Sequence, residues 1–353
     1  MDPVGSTASI IVPTLLKRWR NVLRRISWMF LVVWASITLT FILSRIIPAD
    51  PARLAAGMQA GPAQVEEVRR SLGLDKPLFE QYLTYLRGIL KFDLGKSIQT
   101  RQSVTADILR YLPATLELVL SSFFVIAVFG ILFGVLWARF PKSFFSKVMS
   151  ATSVIGVAMP VFWTGLLLQM FFAAKLGWFP IAGNLPYQEF GVNFVTGMGT
   201  VDSLLAGNMT ALRESVIALI LPVTTLVISQ IGVATRLTKA TMEVELKQRY
   251  VTTARARGVN EWRITILDAL RNALNPVVTM LGLQFGWLLG GTILVEVVFS
   301  WPGLGLYAFN AFRTFDYNPI LAITLVITIT FVLMNELVSL IYPVLDPKLR
   351  ETS

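Results

Sequence analysis

The chain has 353 residues, of which 54% are apolar and only 15% charged, and its mean hydropathy is +0.64. Soluble domains carry about a quarter charged residues, so this balance marks an integral membrane protein. Cysteine and histidine are both absent, which excludes disulfides, thiol nucleophiles, histidine bases and nearly every soft metal site. The net charge of +10 sits in short basic blocks between apolar runs, the pattern of membrane topology signals and not of a nucleic-acid-binding face.

Residues 1–25 form a basic tail carrying Lys17, Arg18, Arg20, Arg24 and Arg25. The tail lacks the short apolar core and cleavage site of a signal peptide, so the first span is expected to act as its own uncleaved insertion signal. Six runs follow that are long enough to cross the hydrocarbon, at about 27–47, 115–138, 148–174, 215–235, 276–299 and 319–342. Pro160 is expected to kink the third. The reading is an all-α integral membrane protein whose transmembrane domain runs from 26 to 350, with no soluble domain at either end. The connection 48–114 reads as short amphipathic helices near the outer surface.

Lysine and arginine placement predicts orientation. Beside the basic tail, Arg139, Lys142 and Lys147 lie between spans two and three. Arg236, Lys239, Lys247, Arg249, Arg255, Arg257, Arg263 and Arg271 lie between spans four and five. The opposite connections hold only Lys175 and Arg213, and Arg313. The 48–114 connection is mixed in charge and too long to obey the rule. Both termini and the 236–273 segment are therefore expected in the cytoplasm.

The string "LKFDLGKS" (90–97) invites a phosphate-binding loop, but Leu90 stands where a glycine is required and the stretch faces outward. No nucleotide site is expected. Within the spans, Arg45, Glu117 and Glu296 are expected near outer ends, where side chains reach the interface, and Glu336 near an inner end. The span middles offer only neutral groups such as Gln169, Gln230 and Gln284. These three have two readings, hydrogen bonds that pack helices or a polar lining for a solute path, to which Glu296 would also belong. Neither provides a proton relay. A secondary transporter would need mid-membrane ionisable groups, and a membrane-embedded enzyme paired carboxylates or a Ser–Lys pair. No catalytic residue, cofactor or metal site is expected, so uphill transport must draw energy from another subunit.

The passage "YVTTARARGVNEWRITILDALRNALNP" (250–276) is polar between two apolar runs. A helix ending near Arg257, a left-handed Gly258 and a capping Asn260 predict a rigid helical elbow with exposed arginines. Such a surface suits a cytoplasmic partner; the simpler reading is a basic loop that fixes orientation. The segment "FSWPGLG" (299–305) reads as an interfacial turn anchored by Trp301 and made by Pro302, Gly303 and Gly305.

The stretch 250–305 closely resembles the inner-membrane permease subunits of bacterial dipeptide and oligopeptide ABC importers. So do "IIPADPA" (46–52), "LGLDKPLFEQYLTYL" (72–86), "DLGKSI" (93–98), "LPATLEL" (112–118) and "MPVFWTGLLL" (159–168). The likeness spans about residues 24 to 350. It implies a six-span, type I ABC importer permease in the bacterial inner membrane, forming half of a path for di- or oligopeptides. It further implies a second, homologous permease, two cytoplasmic ATPase subunits and an external solute-binding protein. Members similar to it also carry glutathione, opines, nickel chelates, haem or sugars. By resemblance, the elbow is the ATPase-coupling element, comprising Thr252, Thr253, Ala254, Arg255, Ala256, Arg257, Gly258, Val259 and Asn260. Of the family's Glu-Ala-Ala before the glycine, only Ala254 is kept, because Thr252 and Thr253 replace the first two residues. The resemblance also makes Trp301, Pro302 and Gly303 candidates for contact with the binding protein.

Overall fold

The computed structural model describes residues 8–46, 51–57, 59–71, 73–183 and 190–345, with side chains between 23 and 338 apart from 51, 54 and 55. Residues 1–7 of the basic tail, 47–50 of "IIPADPA", Leu72 and the domain end at 346–350 lie outside the described residues.

Helix α1 (Ala8–Ile46) is followed by three short helices, α2 (Pro51–Ala56), α3 (Pro62–Ser71) and α4 (Leu78–Leu90). Then come α5 (Val104–Arg139), α6 (Phe144–Ala158) and α7 (Val161–Leu168), which continues into a π-helical stretch at Gln169–Lys175. Helix α8 (Gly199–Leu205) precedes α9 (Met209–Glu245). After α10 (Arg249–Ala256), α11 (Glu261–Arg263) runs through a π-helical stretch at Ile264–Ala269 into α12 (Leu270–Phe299). Helices α13 (Leu304–Arg313) and α14 (Tyr317–Leu345) close the chain. No β-strand occurs among the described residues.

Five helices are long and apolar enough to cross a membrane, and the pair α6–α7 makes a sixth if its two halves count as one span. That pair is bent by 109°, more sharply than the kink expected from Pro160. Two effects combine there. Met159, as the residue before proline, is held extended (φ −81°, ψ 132°), and Pro160 has no N–H with which to continue the α6 ladder. The other helices overrun their apolar cores. Helix α5, with 36 residues, is about 54 Å long at ~1.5 Å per residue, against roughly 30 Å of hydrocarbon. Its extra turns carry Asp107, which is buried.

Without a hydrophobic drive between helices in lipid, small residues set how closely they approach. Helices α5 and α9 pack along one another, and a Cβ on Gly130 would stand 2.7 Å from Ala234. Gly232 of α9 lies against the Ser153 backbone of α6, where a Cβ would meet the carbonyl oxygen at 2.6 Å. Around these contacts Leu118, Ile126, Leu226, Leu288 and Phe299 are fully buried. Helix α1 lies at the rim and leans on α14 through a Ser36–Thr328 hydroxyl pair at 2.9 Å and an Arg25–Glu336 ion pair at 3.9 Å. The bundle thus has an elbow end, with α10–α11, and a cap end, where α2–α4, α8 and α13 gather.

Candidate functional site

At the elbow end the local sequence dictates its own geometry. Gly258 has φ +76°, and its N–H donates to the Arg255 carbonyl at 2.9 Å while Val259 N–H donates to the Ala254 carbonyl at 3.1 Å. This is the Schellman pattern of a helix end, and a glycine enters its left-handed position without Cβ strain. Asn260 then accepts from Trp262 N–H at 2.8 Å and starts α11.

The elbow is braced to three helices. Arg255 donates through Nε to Glu261 Oε1 at 2.7 Å and through Nη2 to Oε2 at 3.3 Å. Arg139, at the end of α5, reaches the same carboxylate at 3.7 Å, and Phe140 meets Trp262 ring to ring at 6.1 Å. Tyr250 donates to Glu245 of α9 at 2.8 Å and accepts from Asn272 of α12 at 3.2 Å. Val251 and Ile264 are fully buried beneath the turn. Outward, Arg249, Arg257, Arg263 and Arg271 are exposed and form no ion pair among the described residues. Thr252, Thr253, Ala256 and Asn260 are also exposed, while Ala254 and Val259 are half-buried. Sequence reasoning missed Tyr250, Glu261 and Trp262, and read Arg139 only as a topology signal. The only local signal was Glu261 lying six residues from Arg255 across a glycine.

The four candidate path residues fall into three separate hydrogen-bonded groups. Gln284 donates to the Gln230 carbonyl at 3.0 Å and to its side-chain oxygen at 3.3 Å, joining α12 to α9. Gln169 donates to the carbonyls of Ile181 at 2.6 Å and Val298 at 3.3 Å, holding the chain after α7 against the end of α12. Glu296 is fully buried in the cap end. Its oxygens accept from Thr115 Oγ1 at 2.7 Å and Leu306 N–H at 3.0 Å.

The expectation that Glu117 and Glu296 reach the membrane interface is therefore corrected, because both are buried acceptors. Glu117 takes the N–H groups of Gly199 at 3.1 Å and Thr200 at 2.7 Å, capping α8. Asp316 accepts from Ser97 Oγ at 2.7 Å, Ile98 N–H at 2.6 Å and Gln99 N–H at 3.1 Å. The turn at Ser97–Gln99 is thus an anion cradle, and the anion is the protein's own carboxylate. Asp107 accepts from Thr100 Oγ1 at 2.6 Å and Tyr307 Oη at 2.7 Å. Asp202 receives the N–H groups of Val195, Thr196 and Gly197. Burial pushes its carboxyl up, but these donors outweigh burial and hold it below the usual carboxylate range. Buried carboxylates thus staple the loops of the cap end.

The expected interfacial turn at Trp301 is also corrected. Trp301 is 1% exposed, and its Nε1–H donates to the Ala114 carbonyl at 2.9 Å. Gly303 is buried, and a Cβ there would stand 2.5 Å from both Thr115 Oγ1 and Glu296 Oε2. Only Pro302 of this trio is partly accessible.

Comparison with known proteins accords with this architecture. Residues 130–351 match the family described as binding-protein-dependent transport system inner membrane component, and residues 18–119 match its N-terminal companion. The chain is 37% identical over 328 residues to the di/tripeptide transport system permease protein of Pseudomonas aeruginosa, covering 93% of this chain and 97% of that protein. It is 36% identical to the probable D,D-dipeptide transport system permease protein of Escherichia coli, with 93% and 97% covered. It is 37% identical to the glutathione transport system permease protein of Pectobacterium atrosepticum, with 89% and 93% covered. The chain belongs to the family of inner-membrane components of binding-protein-dependent transport systems and is a multi-pass permease.

Proposed function

We propose that this chain forms one half of the translocation path of an ATP-driven importer for di- and oligopeptides. A second, homologous permease completes the path, two cytoplasmic ATPase subunits bind the elbows, and an external binding protein delivers solute to the cap end. The di/tripeptide and D,D-dipeptide permeases among its relatives support the peptide cargo. The observation that carries the mechanism is the braced elbow. Its outward face holds arginines with no ion pair among the described residues, suited to an acidic groove, and its inward face is fixed to α5, α9 and α12. Movement of a docked subunit then reaches three spans at once. ATP binding closes the ATPase pair, the elbows turn, and the cavity between the permeases opens outward. Hydrolysis returns the assembly to the inward-open state. The glutathione relative, as similar as the di/tripeptide one, keeps glutathione as the alternative cargo.

Because the sequence has no cysteine, single-cysteine variants test the arrangement cleanly. With the elbow in the cytoplasm, Arg257→Cys cross-links to an ATPase subunit and resists a membrane-impermeant maleimide in intact cells. Arg213→Cys, near the start of α9, is labelled from outside. Labelling of position 257 in intact cells would invert the topology and remove the coupling role. Uptake of labelled dipeptide against labelled glutathione by the assembled transporter, with its binding protein, decides the cargo.

A further inference from the structure

Beneath α4, between α1 and the start of α14, the cap end holds a cavity of about 270 Å³. Phe41, Arg45, Lys76, Gln81, Tyr85 and Asp93 supply its functional lining. Three polar atoms of its lining residues, Arg45 Nε, Gln81 Oε1 and Tyr85 Oη, are enclosed by protein and make no hydrogen bond. Natural structures leave few such atoms unpaired. Here three belong to residues that line one cavity.

The geometry of these atoms is fixed by their neighbours. The Arg45 guanidinium lies over the Phe41 ring at 5.2 Å, and Tyr85 stacks on the same ring at 5.8 Å. Arg45, half-buried at the end of an apolar spanning helix, makes no ion pair among the described residues. The Gln81 amide nitrogen donates to the carbonyls of Leu74 at 3.3 Å and Lys76 at 2.8 Å, which leaves its oxygen as a free acceptor. Asp93 Oδ1 accepts from Gly95 N–H at 3.1 Å.

The chemistry of the lining selects a ligand. Arg45, Lys76 and the Tyr85 hydroxyl offer donors and positive charge to an anion, and a guanidinium fits the oxygens of a phosphate. Gln81 Oε1 and Asp93 offer acceptors to an ammonium or hydroxyl group on the same molecule. Next in sequence to the lining residues, Ile42, Leu43 and Ile46 of α1 are exposed, as are Leu78 and Phe79 at the start of α4. These apolar surfaces can carry acyl chains.

We propose that this cavity binds the phosphate headgroup of a membrane phospholipid, with the diester against Arg45, Lys76 and Tyr85 and a headgroup amine or hydroxyl against Gln81 and Asp93. The bound lipid would join α4 to α1 and α14 as part of the cap.

The test uses the assembled transporter in nanodiscs containing a photoactivatable phosphatidylethanolamine, with labelled peptides mapped by mass spectrometry. Labelling is expected on α1 and α4, and Arg45→Gln is expected to lower it on the order of tenfold, the effect of losing a charge-assisted hydrogen bond. Tyr85→Phe, which keeps the ring stack, is expected to lower it several-fold at an unchanged unfolding temperature. Arg213→Gln, on another surface, leaves it unchanged. Equal labelling in wild type, Arg45→Gln and Tyr85→Phe would overturn the proposal. Displacement of the label by millimolar inorganic phosphate would assign the cavity to a soluble anion and overturn the lipid source. Persistence of the label under phosphate supports the lipid.

Discussion

Arg255 and Glu261 face each other across Gly258, with Nε and Oε1 2.7 Å apart. The pair closes the elbow as a ring of residues, and Arg139 adds a second cation to the same carboxylate from α5. Both partners are partly open to water, so the pair contributes only about 0.2–1 kcal/mol to stability. Its larger effect is orientation. Glu261→Gln should insert and assemble normally, yet lower peptide uptake relative to ATP hydrolysis when both are measured in proteoliposomes. Unchanged coupling in Glu261→Gln would show that the brace is dispensable.

Gly258→Val probes the turn itself. A Cβ there meets open space within 4 Å, so no clash opposes it, and only the positive φ penalises it. That penalty is roughly 1–2 kcal/mol, and more for a β-branched residue. The packed helices of the bundle tolerate such a cost, but a lever that must hold its angle does not. ATP hydrolysis should persist at least in part while binding-protein-stimulated uptake is lost. Wild-type levels of both would reduce the elbow to an ordinary topological loop.

Asp202 makes part of the cap sensitive to acid. Its carboxyl is held below the ordinary carboxylate range, so it stabilises the folded state at neutral pH. That contribution is fully present above the unfolded-state pKa and is lost as pH falls through the lowered folded value. Unfolding temperature of wild type should therefore approach that of Asp202→Asn at low pH and exceed it at neutral pH. A difference independent of pH would assign the effect to packing.

The elbow was legible because its determinants are local. Gly258 and Asn260 lie within a few residues of the groups they cap, and helix-end chemistry depends on those residues alone. The apolar spans were legible for a similar reason, since length and composition suffice. The cap was not. Thr115 meets Glu296 and Ser97 meets Asp316 across more than half the chain, and no spacing rule pairs such residues. A carboxylate near a span end therefore reads as interfacial until the loop that buries it is known. Trp301 misled in the same way, because Gly183 and Ala114, which enclose it, are remote in sequence.

The buried Asp316 gives the clearest test of the cap. One oxygen, Oδ2, accepts three hydrogen bonds from consecutive residues Ser97, Ile98 and Gln99, while Oδ1 is enclosed without a partner. Asp316→Ala would leave those donors facing a void, and each unsatisfied buried donor costs about 1–3 kcal/mol. The donors share one acceptor and the loop can relax, so the costs do not add fully, and the expected loss is roughly 2–4 kcal/mol. Asp316→Asn separates charge from geometry. Its amide oxygen can occupy the Oδ2 position and keep the three bonds in weaker, neutral form, while its NH₂ replaces an oxygen that was already unpaired. Asn should therefore fall between wild type and Ala. Unfolding temperatures of the purified transporter, with protease sensitivity of the 91–103 loop, give the order directly. If Asp316→Ala unfolds at the wild-type temperature with its loop still protected, the carboxylate is not what holds the turn at Ser97–Gln99.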